Sequence, residues 1–415
     1  MDARRAVEFT ARNAYGKLIA YLSVRTQDVT AAEDALSDAF LTALKTWPNR
    51  GVPANPEAWL LVTARRRLID KTRRRQGYAK ALKLLDLDGF QQPTLLEPSI
   101  FPDERLKLLF ICAHPAIDSK LHTPLMLQTV LGLNAAQIGS AFLVAPTTMG
   151  QRLVRAKAKI RDAGVPFELP QEKDLPERLQ AVLQAIYAAY TSGWSSRLSE
   201  DDNGSDAYQK NLAEEAVWLA RFCVQRLPDE PEALGLLALL LHCEARRPAR
   251  RNSEGGYVPL SEQETVLWSE PMMTEAEQIL KQAATQNSLG RFQLEAAIQS
   301  IHARRAITQS TDWETLVQLY EGLIRCSPTV GAYLGRAAAI AQSQGPTEGL
   351  ALLSQLPTKV VKNHQPYWAI KAHLLTQVGQ ATEAKDAYSQ AIGLTKDRAV
   401  RSFLIDKSQK LTGVV

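Results

Sequence analysis

Cysteine is scarce in this chain. The four present, Cys112, Cys223, Cys243 and Cys326 in 415 residues, are too scattered for a disulfide framework or a zinc module and read as reduced core residues. No apolar run approaches the roughly 18 residues of a membrane span. The opening "MDARRAVEFTARNAYGKL" lacks an apolar signal core, so the expectation is a cytoplasmic protein with no membrane partner. A P-loop, HExxH, GxSxG and a Gly-rich dinucleotide fingerprint are all missing, and the six histidines are dispersed. This argues against an enzyme, and it implies neither cofactor nor metal. Convincing strand alternation is missing as well: the longer segments have apolar residues recurring with a period near 3.6, so the expected fold class is all-α.

What is present is ordinary in amount and uneven in distribution. Apolar residues at 45% and charged residues at 22% suit a packed globular protein. The length suggests about two to four domains. Residues 1–169 hold 24 Lys and Arg against 16 Asp and Glu, whereas 170–415 hold 25 against 28. A basic N-terminal part joined to a slightly acidic remainder points to nucleic acid as a partner of the first. Helical periodicity runs over 1–78 and ends in "ARRRLIDKTRRRQ". Residues 79–102, with their Gln and Pro, read as a linker. A second helical block covers 103–166, and "DAGVPFELPQEKDLP" punctuates its end with Gly and three prolines. From 175 to 415 the texture changes to Ala/Leu-rich helix pairs turning at Pro or Gly, like degenerate tetratricopeptide repeats. Among them "ARRPARRNSEGGYVPLSE" is a long Arg- and Gly-rich connection, a candidate for intramolecular contact between this extension and the basic part.

Two stretches carry the chemistry. In "NAAQIGSAFLVAPTTMGQRLVRAKAKI", Asn134 and Gln137 have capping-box spacing, and Pro146 suits the first position of a second helix. This is helix-turn-helix spacing, with Gly139 where a small residue is needed. Leu143 replaces the glycine common at the turn, so a different backbone is expected there. The second helix has no acid before Asp162, and it forgoes the pairing that usually stabilises a cationic surface helix. An anion outside the chain would supply the missing charge. Thr147, Thr148, Gln151 and Arg155 are candidates for base edges; Arg152, Lys157, Lys159 and Arg161 are candidates for phosphates.

The other stretch is "PNRGVPANPEAWLLVTARRRLIDKTRRR". A Pro/Asn-rich loop leads into a helix whose Trp59, Val62 and Leu68 are expected to pack, beside Arg65, Arg66, Arg67, Lys71, Arg73, Arg74 and Arg75. Aromatic and polar loop residues next to a cationic helix suit a single strand. Upstream, Glu33, Asp34 and Asp38 are expected on an exposed face opposite Leu36, Phe40, Ala43 and Trp47, an acidic face that suggests a protein partner.

In this order, "TAAEDALSDAFLTALKTW", "PEAWLLVTARRRLIDKTRRR", a linker and a helix-turn-helix ending "QRLVRAKAKIRDAG" resemble the extracytoplasmic-function sigma factors of bacterial RNA polymerase. "DERLKLLFICAHPAI", "LGLLALLLHCEARRPAR", "QLEAAIQSIHA", "TDWETLVQLY" and "GPTEGLALL" are similar to the subgroup with a tetratricopeptide-like C-terminal extension. The resemblance implies sigma region 2 over 1–78, region 4 over 103–166 and two small helical sigma domains followed by a helical-repeat extension. It implies that Glu33, Asp34 and Asp38 meet core RNA polymerase at the clamp coiled coil of its largest subunit. Asn49, Arg50, Asn55, Trp59, Arg65, Arg66, Arg67, Lys71, Arg73 and Arg74 would hold the single-stranded −10 element. Many members carry an Asn where this chain places Arg66. Residues 147–159 would read the double-stranded −35 element. The competing expectation is a stand-alone helix-turn-helix regulator with a ligand- or partner-sensing repeat domain, which has no need of the 33–75 constellation.

Overall fold

A computed structural model of the chain describes residues 2–76, 103–194 and 205–411; the side chains of 72–76, 172, 193–194 and 205–211 are outside it. The described residues are helical throughout their regular structure, with a lone bridge between Arg251 and Tyr257. They form two compact units, one built from Met1–Trp194 with Ala207–Leu219, the other taking in Ala220–Val415. None of the described helices is long and apolar enough to cross a membrane.

The first unit begins with three helices, α1 (Ala3–Thr26), α2 (Val29–Arg50) and α3 (Pro56–Gln76). Asp28 starts α2 by accepting a hydrogen bond from the Ala31 amide at 3.1 Å, and Asn55 starts α3 by accepting one from the Ala58 amide at 3.0 Å. Such caps satisfy amides that a helix start leaves unpaired. Val29, Ala32, Leu36, Ala39, Ala43 and Trp47 recur at helical spacing on α2 and are buried, as are Leu60, Ala64 and Leu68 on α3. Of the three residues expected to pack on α3, Leu68 is buried and Trp59 is half-buried with its ring edge on Trp47, centroids 5.4 Å apart, whereas Val62 is exposed.

Next come α4 (Arg105–Cys112), α5 (Ser119–Thr129), α6 (Ala135–Ala141), α7 (Pro146–Asp162) and α8 (Leu175–Trp194). A helix apolar all round belongs inside. That is α4, whose Leu106, Leu108, Leu109, Phe110, Ile111 and Cys112 are buried, with α1, α5 and α8 around it. Burial pushes the Cys112 thiol up to about 12. From α8, Arg178 donates to the Phe110 carbonyl, Nε at 3.2 Å. By packing, α8 and residues 207–219 of α9 (Ser205–Arg226) count with this unit, although the sequence reading starts the extension at 175.

Arg105 fastens that arrangement. Its guanidinium takes Asp103 through Nε at 3.0 Å and Nη2 at 2.7 Å, pairs with Glu215 of α9 through Nη1, and lies 3.8 Å from the Trp218 ring centroid. Burial raises the Glu215 pKa while Arg105 lowers it, and burial prevails.

The second unit continues through α10 (Pro231–Ala245), α11 (Glu270–Ala284), α12 (Arg291–Ala303), α13 (Trp313–Cys326), α14 (Val330–Ser343), α15 (Pro346–Ser354), α16 (Gln365–Gln377), α17 (Ala381–Leu394) and α18 (Arg398–Lys410). Helices pack chiefly on their neighbours in sequence. The core accordingly forms successive clusters: Leu294, Ile298, Leu316 and Leu323; then Leu334, Leu353, Tyr367 and Leu374; then Leu375, Tyr388 and Leu404. Cys326 is exposed, unlike the core cysteine expected.

Helix α1 approaches the end of α5 closely at Gly16. A methyl group on Gly16 would overlap the Val130 carbonyl oxygen, a backbone atom that yields only if a helix moves. Gly16→Ala is expected to destabilise by about 1–3 kcal/mol, the usual cost of overpacking. Urea unfolding of the full chain checks this, and an unchanged midpoint would contradict the packing described.

Candidate nucleic-acid interface

The helix-turn-helix is built as its residues dictate. Asn134 accepts from the amides of Ala136 and Gln137 at 3.0 and 2.9 Å, while the Gln137 side chain accepts from the Asn134 amide at 2.9 Å. Pro146 occupies the first turn of α7. A Cβ at Gly139 would come within 2.5 Å of the Val144 carbonyl oxygen, so the turn closes only over glycine. Leu143 does not alter the turn, contrary to expectation. It takes the left-handed conformation itself, φ 54°, with its side chain 96% exposed.

On α7, Met149, Leu153, Ala156 and Ile160 are buried. Thr147, Thr148, Gln151, Arg152, Arg155 and Lys159 are exposed on the opposite side, and Arg161 is paired with Asp162 at 2.9 Å. Lys157 is not among the outward residues. It lies on the edge of the inner stripe, three residues before Ile160, and its side chain is only 7% exposed. Its Nζ donates to Glu33 Oε2 of α2 at 2.6 Å. Two expectations are corrected by this one contact: Lys157 is not a phosphate ligand on the outer face, and Glu33 is not part of the exposed acidic face. Burial raises the Glu33 pKa, opposed by the Lys157 charge and hydrogen bond. A carboxyl whose pKa rises on folding favours the fold below its unfolded value and loses that contribution as pH climbs through the folded one. At neutral pH, desolvation therefore outweighs what the ion pair returns to Glu33.

Asp34 and Asp38 do face outward from α2. Asp34 meets Lys71 of α3 at 2.9 Å in an exposed pair, a contact worth little and easily exchanged. Arg66 and Arg67 are exposed, Arg65 is half-buried, and Arg73 and Arg74 are among the side chains outside the description. Asn49 and Arg50 belong to the last turn of α2, which continues past Pro48, and not to the expected loop; both are exposed. The intervening loop is 51–55, ending on Asn55, whose carboxamide oxygen is committed to the cap.

The Arg-rich connection is tied within its own unit. Arg246 donates to Gln299, Arg247 pairs with Glu244, and Arg251 reaches Asp397 at 2.6 Å. Among the described residues no cluster of His, Cys, Asp and Glu has the makings of a metal site. Sequence reasoning misses Arg105 with Glu215, which lie 110 residues apart, and Val154, an apolar residue on the outward side of α7.

Comparison with known proteins adds two matched segments. Residues 11–78 match the family described as Sigma-70 region 2, and residues 178–284 match a family of unknown function, DUF6596. An uncharacterized protein of Rhizobium meliloti (strain 1021) is 37% identical over 397 residues, which is 94% of this chain and 91% of that protein.

The buried pair makes a direct prediction. Lys157→Met alone strands a buried carboxylate and is expected to cost on the order of 3 kcal/mol, whereas Lys157→Met with Glu33→Leu is expected to be near neutral or stabilising. Thermal unfolding of the three proteins at neutral pH decides; equal losses in single and double variants would contradict the contact. Separately, Leu143→Gly is expected to stabilise by about 1 kcal/mol, because glycine carries no penalty for the left-handed backbone.

Proposed function

Because the chain carries a sigma-70 region 2 and belongs, over nearly its whole length, to one family with the Rhizobium meliloti protein, we propose that it is an RNA polymerase sigma factor of the extracytoplasmic-function type. The region 2 match supports a role in transcription initiation, with core RNA polymerase and promoter DNA as partners. One observation carries the finer reading: α7, the second helix of the helix-turn-helix, presents Thr147, Thr148, Gln151, Arg152, Arg155 and Lys159 exposed, with no acid before Asp162 in its last turn. Region 2 occupies 1–78, 79–102 is the linker, and 103–166 is region 4.

In this account Asp34 and Asp38 dock on core polymerase. Asn49, Arg50, Asn55, Trp59, Arg65, Arg66, Arg67, Lys71, Arg73 and Arg74 hold the opened −10 strand. Thr147, Thr148, Gln151 and Arg155 read the −35 duplex; Arg152 and Lys159 grip its phosphates. Residues 175–415 form a tetratricopeptide-like extension that regulates the sigma part. Support for regulation comes from Glu215 and Trp218, which lie inside the segment matched as DUF6596 and close on Arg105 at the start of region 4. The chemistry is recruitment and strand capture, without catalysis. A stand-alone regulator would leave the outward acids of α2 and the cations of α3 without a role.

Binding assays test these assignments. Asp34→Lys with Asp38→Lys is expected to weaken affinity for core polymerase by about tenfold or more through like-charge contact. Unchanged core affinity would remove the docking role. Arg152→Ala or Lys159→Ala is expected to weaken −35 binding for every sequence and lower the log–log salt slope by about one unit each. Gln151→Ala or Arg155→Ala is expected to relax base preference at about 1–3 kcal/mol. Identical behaviour of all four, with sequence preference intact, would contradict the division of roles.

A further inference from the structure

The outward side of α7 contains one residue that neither solubility nor packing explains. The buried stripe Met149, Leu153, Ala156 and Ile160 is spaced four, three and four. Thr147, Gln151, Val154 and Ala158 repeat that spacing two residues earlier, and two residues turn a helix by about 200°. They therefore form the stripe diametrically opposite the core. Val154 lies within it at 63% exposure, beside the exposed Gln151 and Arg155. Single exposed apolar residues are ordinary on protein surfaces. Here, however, a β-branched side chain occupies a position where the Lys, Arg and Gln around it form helix better, and it stays mostly exposed.

In the major groove each base pair shows hydrogen-bonding groups, and thymine alone adds an apolar one, its 5-methyl. Valine has no donor or acceptor, so hydrogen bonds give it no means of telling bases apart. We infer that Val154 packs on the 5-methyl group of a thymine in the −35 duplex and is a specificity-determining residue beside Gln151 and Arg155. This role rests on the reading of α7 as the −35 helix. Gln151 and Arg155, three residues before Val154 and one after it, supply the hydrogen bonds that fix the register; Val154 adds exclusion of water from the methyl. Burying a group of that size is worth about fourfold in affinity.

The test uses the full chain bound to core polymerase. −35 segments are first enriched from a random duplex library; each thymine of the enriched segment is then replaced by deoxyuracil, which removes only the methyl. The expected result is one position at which deoxyuracil weakens binding by about fourfold, and a Val154→Ser protein that binds the thymine and uracil duplexes equally. Val154→Ala is expected to retain part of the difference. Exposure of the side chain means both variants should melt with the parent, which thermal unfolding verifies. Failure to enrich any segment would remove the −35 reading itself. An enriched segment whose thymine methyls do not matter, or whose methyl effect persists in Val154→Ser, overturns the role of Val154 while leaving that reading standing. Loss of core affinity in Val154→Ser with base preference untouched would overturn it too, by assigning the side chain to a protein contact.

Discussion

Lys157 and Glu33 form the contact on which the first unit turns. The pair joins a helix of the helix-turn-helix to a helix of the N-terminal three-helix core across 124 residues of sequence. A buried ammonium bonded to a buried carboxylate tolerates little rotation, because either group left alone would lose water without replacement. The pair and the apolar stripe of α7 agree on one roll of that helix. Met149, Leu153, Ala156 and Ile160 go inward, and the cations that remain outside are Arg152, Arg155, Lys159 and Arg161. The same contact removes Glu33 from the surface of α2 and leaves Asp34 and Asp38 as its outward acids.

A second constraint works from the other side. Residues 103–166 lie between the two segments that match known families, 11–78 and 178–284, yet they are held by both. Tyr15 and Gly16 of α1 close on the 130–132 turn. Arg178 of α8 and Glu215 of α9 reach the two ends of α4. The helix-turn-helix is thus carried by a core to which matched and unmatched segments contribute together, with α4, apolar on nearly every side, at its centre.

Much of this is legible in the sequence. The 3.6 period gives all-α, and Asn134, Gln137, Gly139 and Pro146 place the helix-turn-helix because each answers a local backbone need. The misses have a common cause. Periodicity says which face a residue occupies only to within a position, so Lys157 and Glu33, both at the edge of a stripe, read as outward when a partner distant in sequence draws them in. Val62, expected inside, is exposed while Leu60 is buried, for the same reason. Asn49 and Arg50 read as loop because Pro48 precedes them, but α2 runs through Pro48 to Arg50. The Arg-rich connection offers charge without revealing that Glu244, Gln299 and Asp397 take it.

Transcription itself is the most direct measure of the account. Core RNA polymerase, the full chain and a template carrying a promoter enriched by that pair should give a run-off product from a discrete start site. The product should be absent without the chain, and thymines of the −10 non-template strand should become reactive to permanganate as the strands open. Tight binding of the chain alone to such DNA, with no run-off product and no opening when core is added, would contradict it.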